Sequence, residues 1–198
     1  MKRKSFTLIE ILGVIAIIAI LATLGFAGYS YANTKSRESA TQSLITRINA
    51  AFEIAHQKTG FLPMAKTFTV IKINYNDGSI SGLEIGSGTD AKWDLIPSGT
   101  VTRDKKMKAL FCKQFIQALQ MDSMNRYLDE DGNIIDAWGN KIHYRYPGLF
   151  KTGGFDLISA GSDGGFGDKA ADDPPEDISK YRDADDNAEW ICDDIVNI

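Results

Sequence analysis

The sequence predicts an α+β protein in which one long N-terminal α-helix packs on a small antiparallel β-sheet. Two observations lead to this prediction. The uncharged apolar run of residues 11–34 passes into an amphipathic helical pattern that continues to about Lys58. After Thr67 the pattern alternates as in strands, and residues 76–78 (Asn-Asp-Gly) favour the turn of a β-hairpin. The chain of 198 residues is long enough for one such domain.

The apolar run at residues 11–34 is rich in Ile, Leu, Ala and Val, so a helix formed by it can cross about 30 Å of hydrocarbon. Lys2, Arg3 and Lys4 precede the run, whereas the charges after it are mixed. Because basic residues stay on the cytoplasmic side of a membrane, we expect a cytoplasmic N-terminus. The chain that follows the run is then expected outside the cytoplasm.

Glu10, at the start of this run, distinguishes three interpretations of the N-terminus. An ordinary secretory signal peptide, cut after small residues such as Ala32, has no use for a carboxylate there. A plain membrane anchor tolerates Glu10 near the interface but gives it no function either. A carboxylate at the centre of a bilayer costs about 2.5 to 3.5 kcal/mol on insertion scales, so its presence favours a functional explanation.

The third interpretation comes from residues 4–10, Lys-Ser-Phe-Thr-Leu-Ile-Glu, and the apolar run after them. Together they resemble the N-terminal signal of type IV prepilins and type II secretion pseudopilins. The resemblance implies a type IV pilin-like fold, cleavage by a prepilin peptidase between Ser5 and Phe6, and methylation of the new N-terminal Phe6. That family most often has Gly before the cut, where this chain has Ser5.

The resemblance also gives Glu10 a function, which is to set the register between subunits. Cleavage creates an α-amine on Phe6, and a carboxylate in lipid is tolerable when such a cation from a neighbouring copy pairs with it. A contact of this kind repeats from copy to copy and builds a helical filament. The implied partners are further copies of the chain, other pseudopilins, the prepilin peptidase, the inner membrane and its assembly platform.

A second helix is predicted in the globular part, from Asp104, which can cap its N-terminus, to about Leu128. Apolar residues recur along one face of this segment at helical spacing. We interpret that face as core packing. It consists of Met107, Leu110, Phe111, Phe115, Ile116, Leu119 and Met124.

Two stretches of the C-terminal half supply a second resemblance. Residues 136–140 read Asp-Ala-Trp-Gly-Asn before a strand that contains two tyrosines, and residues 155–164 read Phe-Asp-Leu-Ile-Ser-Ala-Gly-Ser-Asp-Gly. Together these stretches resemble the C-terminal region of the major pseudopilin of type II secretion. Ala137 stands where that family has Pro, and Ser162 stands where it has Ala.

In that family the C-terminal loop binds one calcium ion, so the resemblance implies a calcium site here. Calcium takes six to eight oxygen ligands, which a Gly-rich acidic loop can supply. Ser159 and Asp163 match the motif of the family. Because the loop is longer than usual, the second acid is expected to be Asp172 or Asp173, with Asp168 as a substitute. The alternative is a solvated acidic loop that binds no ion.

The two cysteines, Cys112 and Cys192, are expected outside the cytoplasm, where a disulfide can persist. A bond between them would join the C-terminal tail to the middle of the domain. The alternative is a buried Cys112 on a helix face and an unpaired Cys192.

Other function classes receive little support from the sequence. A net charge of −4 does not favour nucleic-acid binding. Residues 129–133 resemble the start of an EF-hand, but their Gly comes too early, so a simple turn is expected. His56 and His143 lack metal ligands at the usual spacing and are interpreted as structural. We find no nucleophile and base in a known arrangement, so no enzymatic activity is predicted.

The predicted organisation has four parts. Residues 1–5 form a leader peptide, residues 6–34 a transmembrane and assembly helix, and residues 35–60 its amphipathic continuation. Residues 61–198 form a periplasmic domain with an acidic loop at about 156–180. The predicted function is that of a structural subunit of a type II secretion pseudopilus, which drives protein export across the outer membrane. The alternatives are a type IV pilin for adhesion or motility and a secreted binding or catalytic domain with an ordinary signal peptide.

Overall fold

The computed structural model of the protein describes residues 8–86, 91–166, 174–177 and 195–196. Two α-helices and six β-strands are assigned within these residues, and two short 3-10 turns follow the second helix. In chain order the elements are α1 (Leu8–Thr59), β1 (Ala65–Asn76), β2 (Ser79–Ile85), β3 (Lys92–Asp94), α2 (Arg103–Leu119), β4 (His143–Tyr146), β5 (Asp156–Ser159) and β6 (Ile195–Val196).

The chain divides into two compact units, residues 1–37 and residues 38–198. Within the first unit the described residues are helical from Leu8 onward, and their large apolar side chains are exposed; Leu8 and Phe26, for example, are 78% and 77% exposed. One window of 18 residues in α1 has a mean hydropathy of 2.6, so α1 is long and apolar enough to cross a membrane.

The second unit contains an antiparallel sheet with the strand order β3-β2-β1-β4-β5-β6. β1 and β2 form the predicted hairpin. Its two central turn residues, Asp77 and Gly78, both have positive φ angles, 49° and 75°. Such a turn has the twist that adjacent antiparallel strands require.

The core of the second unit forms where the part of α1 after residue 38 packs on the sheet. Leu44, Ile48 and Phe52 lie at four-residue spacing on one face of α1 and are buried, which confirms the predicted amphipathic pattern. The Phe52 ring lies 4.6 Å from both Phe115 of α2 and Tyr144 of β4. Phe52 therefore joins both helices and the sheet in one aromatic cluster.

The predicted start of the second helix was off by two residues. Thr102, and not Asp104, is the N-cap: its hydroxyl accepts a hydrogen bond from the N–H of Lys105 at 3.3 Å. Asp104 lies in the first turn and forms an ion pair with Lys108 at 3.2 Å. A carboxylate in that turn still stabilises the helix dipole.

The predicted end of this helix, at about Leu128, was wrong. α2 ends at Leu119 because Gln120 takes a left-handed conformation with φ 50°, and the two 3-10 turns follow. Arg47 of α1 donates hydrogen bonds to the carbonyl oxygens of Leu119 and Gln120, and to the hydroxyl of Ser123 at 2.6 Å. The last carbonyl groups of α2 thus receive donors from another helix.

Candidate functional site

The structure brings together the two C-terminal stretches that carried the second resemblance. Asp136 is only 3% exposed. Its Oδ2 accepts a hydrogen bond from the hydroxyl of Ser159 at 2.7 Å, and its Oδ1 accepts from the N–H groups of Trp138 and Asn140, both at 2.8 Å. These donors compensate for the cost of burying a carboxylate.

Further hydrogen bonds extend this contact to other elements. The side-chain amide of Asn140 donates to the carbonyl oxygen of Gly161 at 2.8 Å, and the N–H of Gly161 donates to the Ser159 hydroxyl at 3.2 Å. The N–H of Ala137 donates to the hydroxyl of Thr41, a fully buried residue of α1. We call Thr41, Asp136, Asn140, Ser159 and Gly161 the Asp136 network.

The Asp136 network fixes the point where the C-terminal loop leaves β5. Ser159, a predicted calcium ligand, donates its hydroxyl hydrogen to Asp136. Asp163 lies on the exposed turn beyond, where its Oδ1 accepts a hydrogen bond from the N–H of Gly165 at 3.0 Å. Ser159 is the buried last residue of β5, and Asp163 is exposed on the turn that follows this strand.

The rest of the predicted calcium site cannot be located in the same way. Asp168, Asp172 and Asp173 lie outside the described residues. Within the part of the chain that the structure describes, no three His, Cys, Asp or Glu side chains are grouped so that they could hold a metal ion. The calcium site stays a prediction.

Residues 129–133 form a turn, as predicted, and this turn repeats the geometry of residues 136–140. Asp129 Oδ1 accepts hydrogen bonds from the N–H groups of Asp131 at 3.0 Å and Asn133 at 2.8 Å, and Oδ2 accepts from the Asn133 amide at 2.7 Å. Burial alone raises the pKa of Asp129, but these hydrogen bonds and the charge of Lys141 bring it below its usual value. The two loops share the pattern Asp-x-x-Gly-Asn, seven residues apart.

The geometry of the first of these loops requires glycine at position 132. Gly132 has a φ angle of 85°, and a Cβ atom added there would lie 2.3 Å from the carbonyl oxygen of Ile73. Backbone hydrogen bonds join the same two segments, because the N–H of Ile73 donates to the Gly132 carbonyl at 2.8 Å. The loop therefore packs directly on β1, and only glycine fits.

Asp156 is a second buried carboxylate, and no sequence motif indicated its function. It is fully buried at the start of β5. Its two oxygens accept hydrogen bonds from three successive N–H groups, those of Leu149, Phe150 and Lys151. Asp156 thus holds the loop before β5 in shape by bonding to its backbone.

Glu176 anchors a described part of the acidic loop on the sheet. One carboxylate oxygen accepts a hydrogen bond from the N–H of Phe68 at 3.0 Å, and the other pairs with Arg145. The pairing of β1 with β4 is irregular between Ala65 and Thr69, so the Phe68 N–H lies where the strand ladder is interrupted. Sequence reasoning missed this residue.

The C-terminal tail returns to the same sheet. β6 pairs with β5 in antiparallel orientation, with Ser159 opposite Ile195 and Ile158 opposite Val196. β6 is the edge strand at the end of the sheet opposite β3. The tail therefore covers the strand that carries Ser159.

Cys112 is fully buried on α2. Burial, and to a smaller extent the negative charge of Asp94, raises the pKa of its thiol to about 12. Cys112 forms no disulfide within the described residues, and Cys192 lies outside them. The Cys112–Cys192 disulfide stays a prediction.

The two histidines lie apart from these carboxylates. His143 is buried on β4, where its ring meets Phe166 edge to face at 5.1 Å and its Nδ1 lies 3.2 Å from the carbonyl oxygen of Lys141. His56 is on α1 among residues that pack on the domain. These positions agree with the structural interpretation of both side chains.

At the N-terminus, Glu10 lies in the first described turn of α1 and is exposed. Ser5 and Phe6, the predicted cleavage and methylation residues, lie outside the described residues. The structure thus describes the apolar helix but not the predicted cut.

Comparison with protein families decides the class of the protein. The prokaryotic N-terminal methylation motif matches residues 1–26, and the family described as type II secretion system (T2SS), protein G, matches residues 100–180. Both matches support a pseudopilin with a prepilin-type N-terminal motif. This pseudopilin gave no match in the comparisons with curated proteins and with solved structures.

The two family matches confirm both resemblances that the sequence indicated. The protein G match contains Asp136, Asn140, Ser159 and Gly161 of the Asp136 network, together with Glu176. The family consists of structural subunits and not of enzymes, as predicted for this chain. It also implies assembly of this pseudopilin with other pseudopilins.

Proposed function

We propose that this pseudopilin is a subunit of a type II secretion pseudopilus that drives protein export across the outer membrane. It is held in the inner membrane by α1, with a cytoplasmic N-terminus and a periplasmic globular domain. A prepilin peptidase cuts it between Ser5 and Phe6, and an assembly platform moves it into a helical filament. The combination of the N-terminal methylation motif with the protein G match is the observation that best supports this function.

The surface of α1 supports assembly through this helix. From Leu8 to Leu21 its large apolar side chains are between 49% and 78% exposed. Each square ångström of apolar surface exposed to water costs about 25 cal/mol, so this surface requires lipid or other apolar helices around it. Neighbouring copies can replace the lipid without exposing α1 to water, because packing between apolar helices substitutes for contacts with lipid tails.

Glu10 provides the register of the filament in this proposal. Its carboxylate pairs with the α-amine that cleavage creates on Phe6 of a neighbouring copy. An ion pair in an apolar environment stabilises an assembly only when both charges find their partners, so it selects one stacking distance. Each copy carries both Phe6 and Glu10, so it donates its amine to one neighbour and accepts the amine of another.

A type IV pilin for motility or adhesion is the main alternative, and the protein G match favours the pseudopilus. We expect deletion of the gene to leave secreted proteins in the periplasm, while surface motility and adhesion remain normal. Export is measured as the fraction of a type II cargo in the medium. Restoration by the wild-type chain is the control, and a strain with normal export but without motility would contradict the proposal.

The C-terminal loop binds one calcium ion in this proposal, through Asp163 and Asp172 or Asp173, with Asp168 as a substitute. Residues 168–194 carry eleven Asp and Glu residues and three Lys and Arg residues, and a cation lowers their mutual repulsion. Asp163 lies between Gly161 and Gly164, whose φ angles are 68° and 77°, so the backbone turns tightly beside it. Ser159 supports the base of the loop through the Asp136 network.

Removal of calcium should therefore destabilise the mature chain in detergent. A ligand present at 100 times its Kd stabilises a fold by about 2.7 kcal/mol. For a chain of this size we expect EGTA to lower the Tm by about 5 to 10 °C.

Asp163→Asn is the matched variant for this experiment, and its Tm should no longer respond to EGTA. Added calcium should restore the Tm of the wild type, whereas magnesium should not, because magnesium gives up its bound water less readily. A wild-type melting curve that EGTA leaves unchanged would mean that the loop binds no calcium.

A further inference from the structure

Helix α2 carries an unusual charge for this protein. The chain has a net charge of −4, yet the segment from Arg103 to Lys113 contains five basic residues and one acid, Asp104. Part of this charge is used within the domain: Lys108 pairs with Asp104 at 3.2 Å, and the Lys105 amine donates to the carbonyl oxygen of Ser98 at 3.2 Å. The other three cations, Arg103, Lys106 and Lys113, take part in neither contact.

The remaining cations lie along one exposed face of α2. Three- and four-residue spacings place them in line on the side of the helix opposite Phe111 and Phe115, which are fully buried. Leu110 is 41% exposed in the middle of this face. We call the face the basic stripe; it consists of Arg103, Lys106, Leu110, Lys113 and Gln117.

The basic stripe has no acidic partner among the described residues. Arg103, Lys106 and Lys113 form no ion pair within them. Three aligned cations beside an exposed leucine form a surface that fits an anionic and partly apolar segment.

The chain itself contains a segment of this chemistry. Residues 183–194 carry six Asp and Glu residues and no Lys or Arg, and they include Trp190 and Ile191. We call residues 183–194 the acidic segment. Its charges complement those of the basic stripe, and its two apolar residues complement Leu110.

α2 packs beside one edge strand of the sheet, and the acidic segment is joined in sequence to the other edge strand. α2 contacts β3, since the rings of Phe111 and Trp93 lie 5.4 Å apart. The acidic segment runs directly into β6, and β6 is the edge strand opposite β3. A contact between the basic stripe of one copy and the acidic segment of the next therefore joins two different surfaces, as the repeated contacts of a filament require.

We propose that the basic stripe of one copy binds the acidic segment of a second copy. The proposal rests on the filament function given above and adds a contact between the globular domains. The two surfaces are different, so the contact is heterologous and can repeat along a filament. It also gives α2 and the tail a function that the family motifs leave unassigned.

A zero-length cross-link between two distinguishable copies tests this contact. One full-length chain keeps the basic stripe and has the six acids of the acidic segment replaced by Asn or Gln. The other keeps the acidic segment and carries Lys106→Arg and Lys113→Arg, which preserve charge but remove the amines. Both are expressed in one cell, and the membranes are treated with a carbodiimide, which joins a lysine amine to a carboxylate.

We expect mass spectrometry to identify a peptide in which Lys106 or Lys113 is joined to residues 183–194. In this mixture such a peptide can arise only between two copies. The first chain expressed alone is the control and should give no such peptide. Links from these lysines to other acids, or no link although lysines elsewhere react, would overturn the proposal.

Charge reversal provides the second measurement. Lys106→Glu with Lys113→Glu should reduce filament yield by about fivefold or more, since it replaces attraction by repulsion at a contact that repeats along the filament. Asp185→Lys with Asp186→Lys in the same chain should restore it. Lys66→Glu with Lys151→Glu makes the same change of charge at two exposed sites outside the stripe and should assemble normally.

The two proposals fail in different ways. If the wild type forms no filament, the proposed function fails, and the cross-link in the membrane still decides the inference. If the wild type and the stripe reversal assemble equally, the inference fails and the filament function stands. A stripe that binds lipid would give a different pair of results. The reversal variant would lose binding to phosphatidylglycerol vesicles, and the expected cross-linked peptide would be absent from the mixture of the two chains. These results would overturn the inference.

Discussion

Glu10→Ala should abolish or greatly reduce filament growth while cleavage at Ser5 and insertion into the membrane continue. The substitution removes the carboxylate that pairs with the Phe6 amine of the next copy and leaves that amine in an apolar environment without a counter-charge. A loss of about 1.4 kcal/mol lowers an association constant about tenfold, and this loss recurs at every subunit contact. Filament yield is measured in the sheared fraction by immunoblot.

Two further substitutions separate the charge from the size of Glu10. Glu10→Gln keeps the shape of the side chain without the charge, so it should fail as Glu10→Ala does. Glu10→Asp keeps the charge on a shorter side chain and should retain part of the filament yield. Filaments of normal amount and length from Glu10→Ala would show that the carboxylate does not set the register.

Asp136→Ala should be the most destabilising substitution in the Asp136 network. It leaves the buried Ser159 hydroxyl and the N–H groups of Trp138 and Asn140 without their acceptor. Each buried donor left unsatisfied costs about 1 to 3 kcal/mol, so we expect a loss of about 3 to 5 kcal/mol in the free energy of unfolding. Chemical denaturation of the mature chain in detergent, followed by tryptophan fluorescence, measures this loss.

Asp129→Ala is the matched control, because Asp129 occupies the same position in the other Asp-x-x-Gly-Asn loop. Asp129 is half-buried and the N–H of exposed Asp131 can turn to water, but Asn133 is buried, so we expect a loss of about 1 to 3 kcal/mol, less than for Asp136→Ala. Folding lowers the pKa of Asp129, so its contribution is present at neutral pH and is lost as the pH falls through that lowered pKa. An equal loss from both substitutions would contradict the special importance of the Asp136 network.

The elements that depend on local pattern could be predicted from the sequence. α1, the β1–β2 hairpin and the tyrosine strand β4 lie where periodicity and turn residues placed them. The end of α2 could not be predicted in this way, because no Gly or Pro lies between Leu119 and Leu128 to mark the end of a helix. The left-handed Gln120 is stabilised by Arg47, which is 73 residues away in the sequence.

The same distinction applies to the residues of the candidate site: motifs indicated some of them, and only the fold revealed the others. Motifs pointed to Asp136 and Ser159 separately, but their contact depends on the pairing of β4 with β5. Asp156 and Glu176 were missed because they bind backbone N–H groups, which leave no pattern in the sequence. The Glu176 partner Phe68 is 108 residues away.

The mature N-terminus is the most direct measurement of the proposed function. Mass spectrometry of the chain purified from membranes should find Phe6 as the first residue, carrying one additional methyl group. Cleavage at that position would leave the apolar helix attached to the domain, as assembly through α1 requires. A mature chain that begins at Asn33, after removal of the whole apolar run, would contradict the assignment of this pseudopilin as a filament subunit.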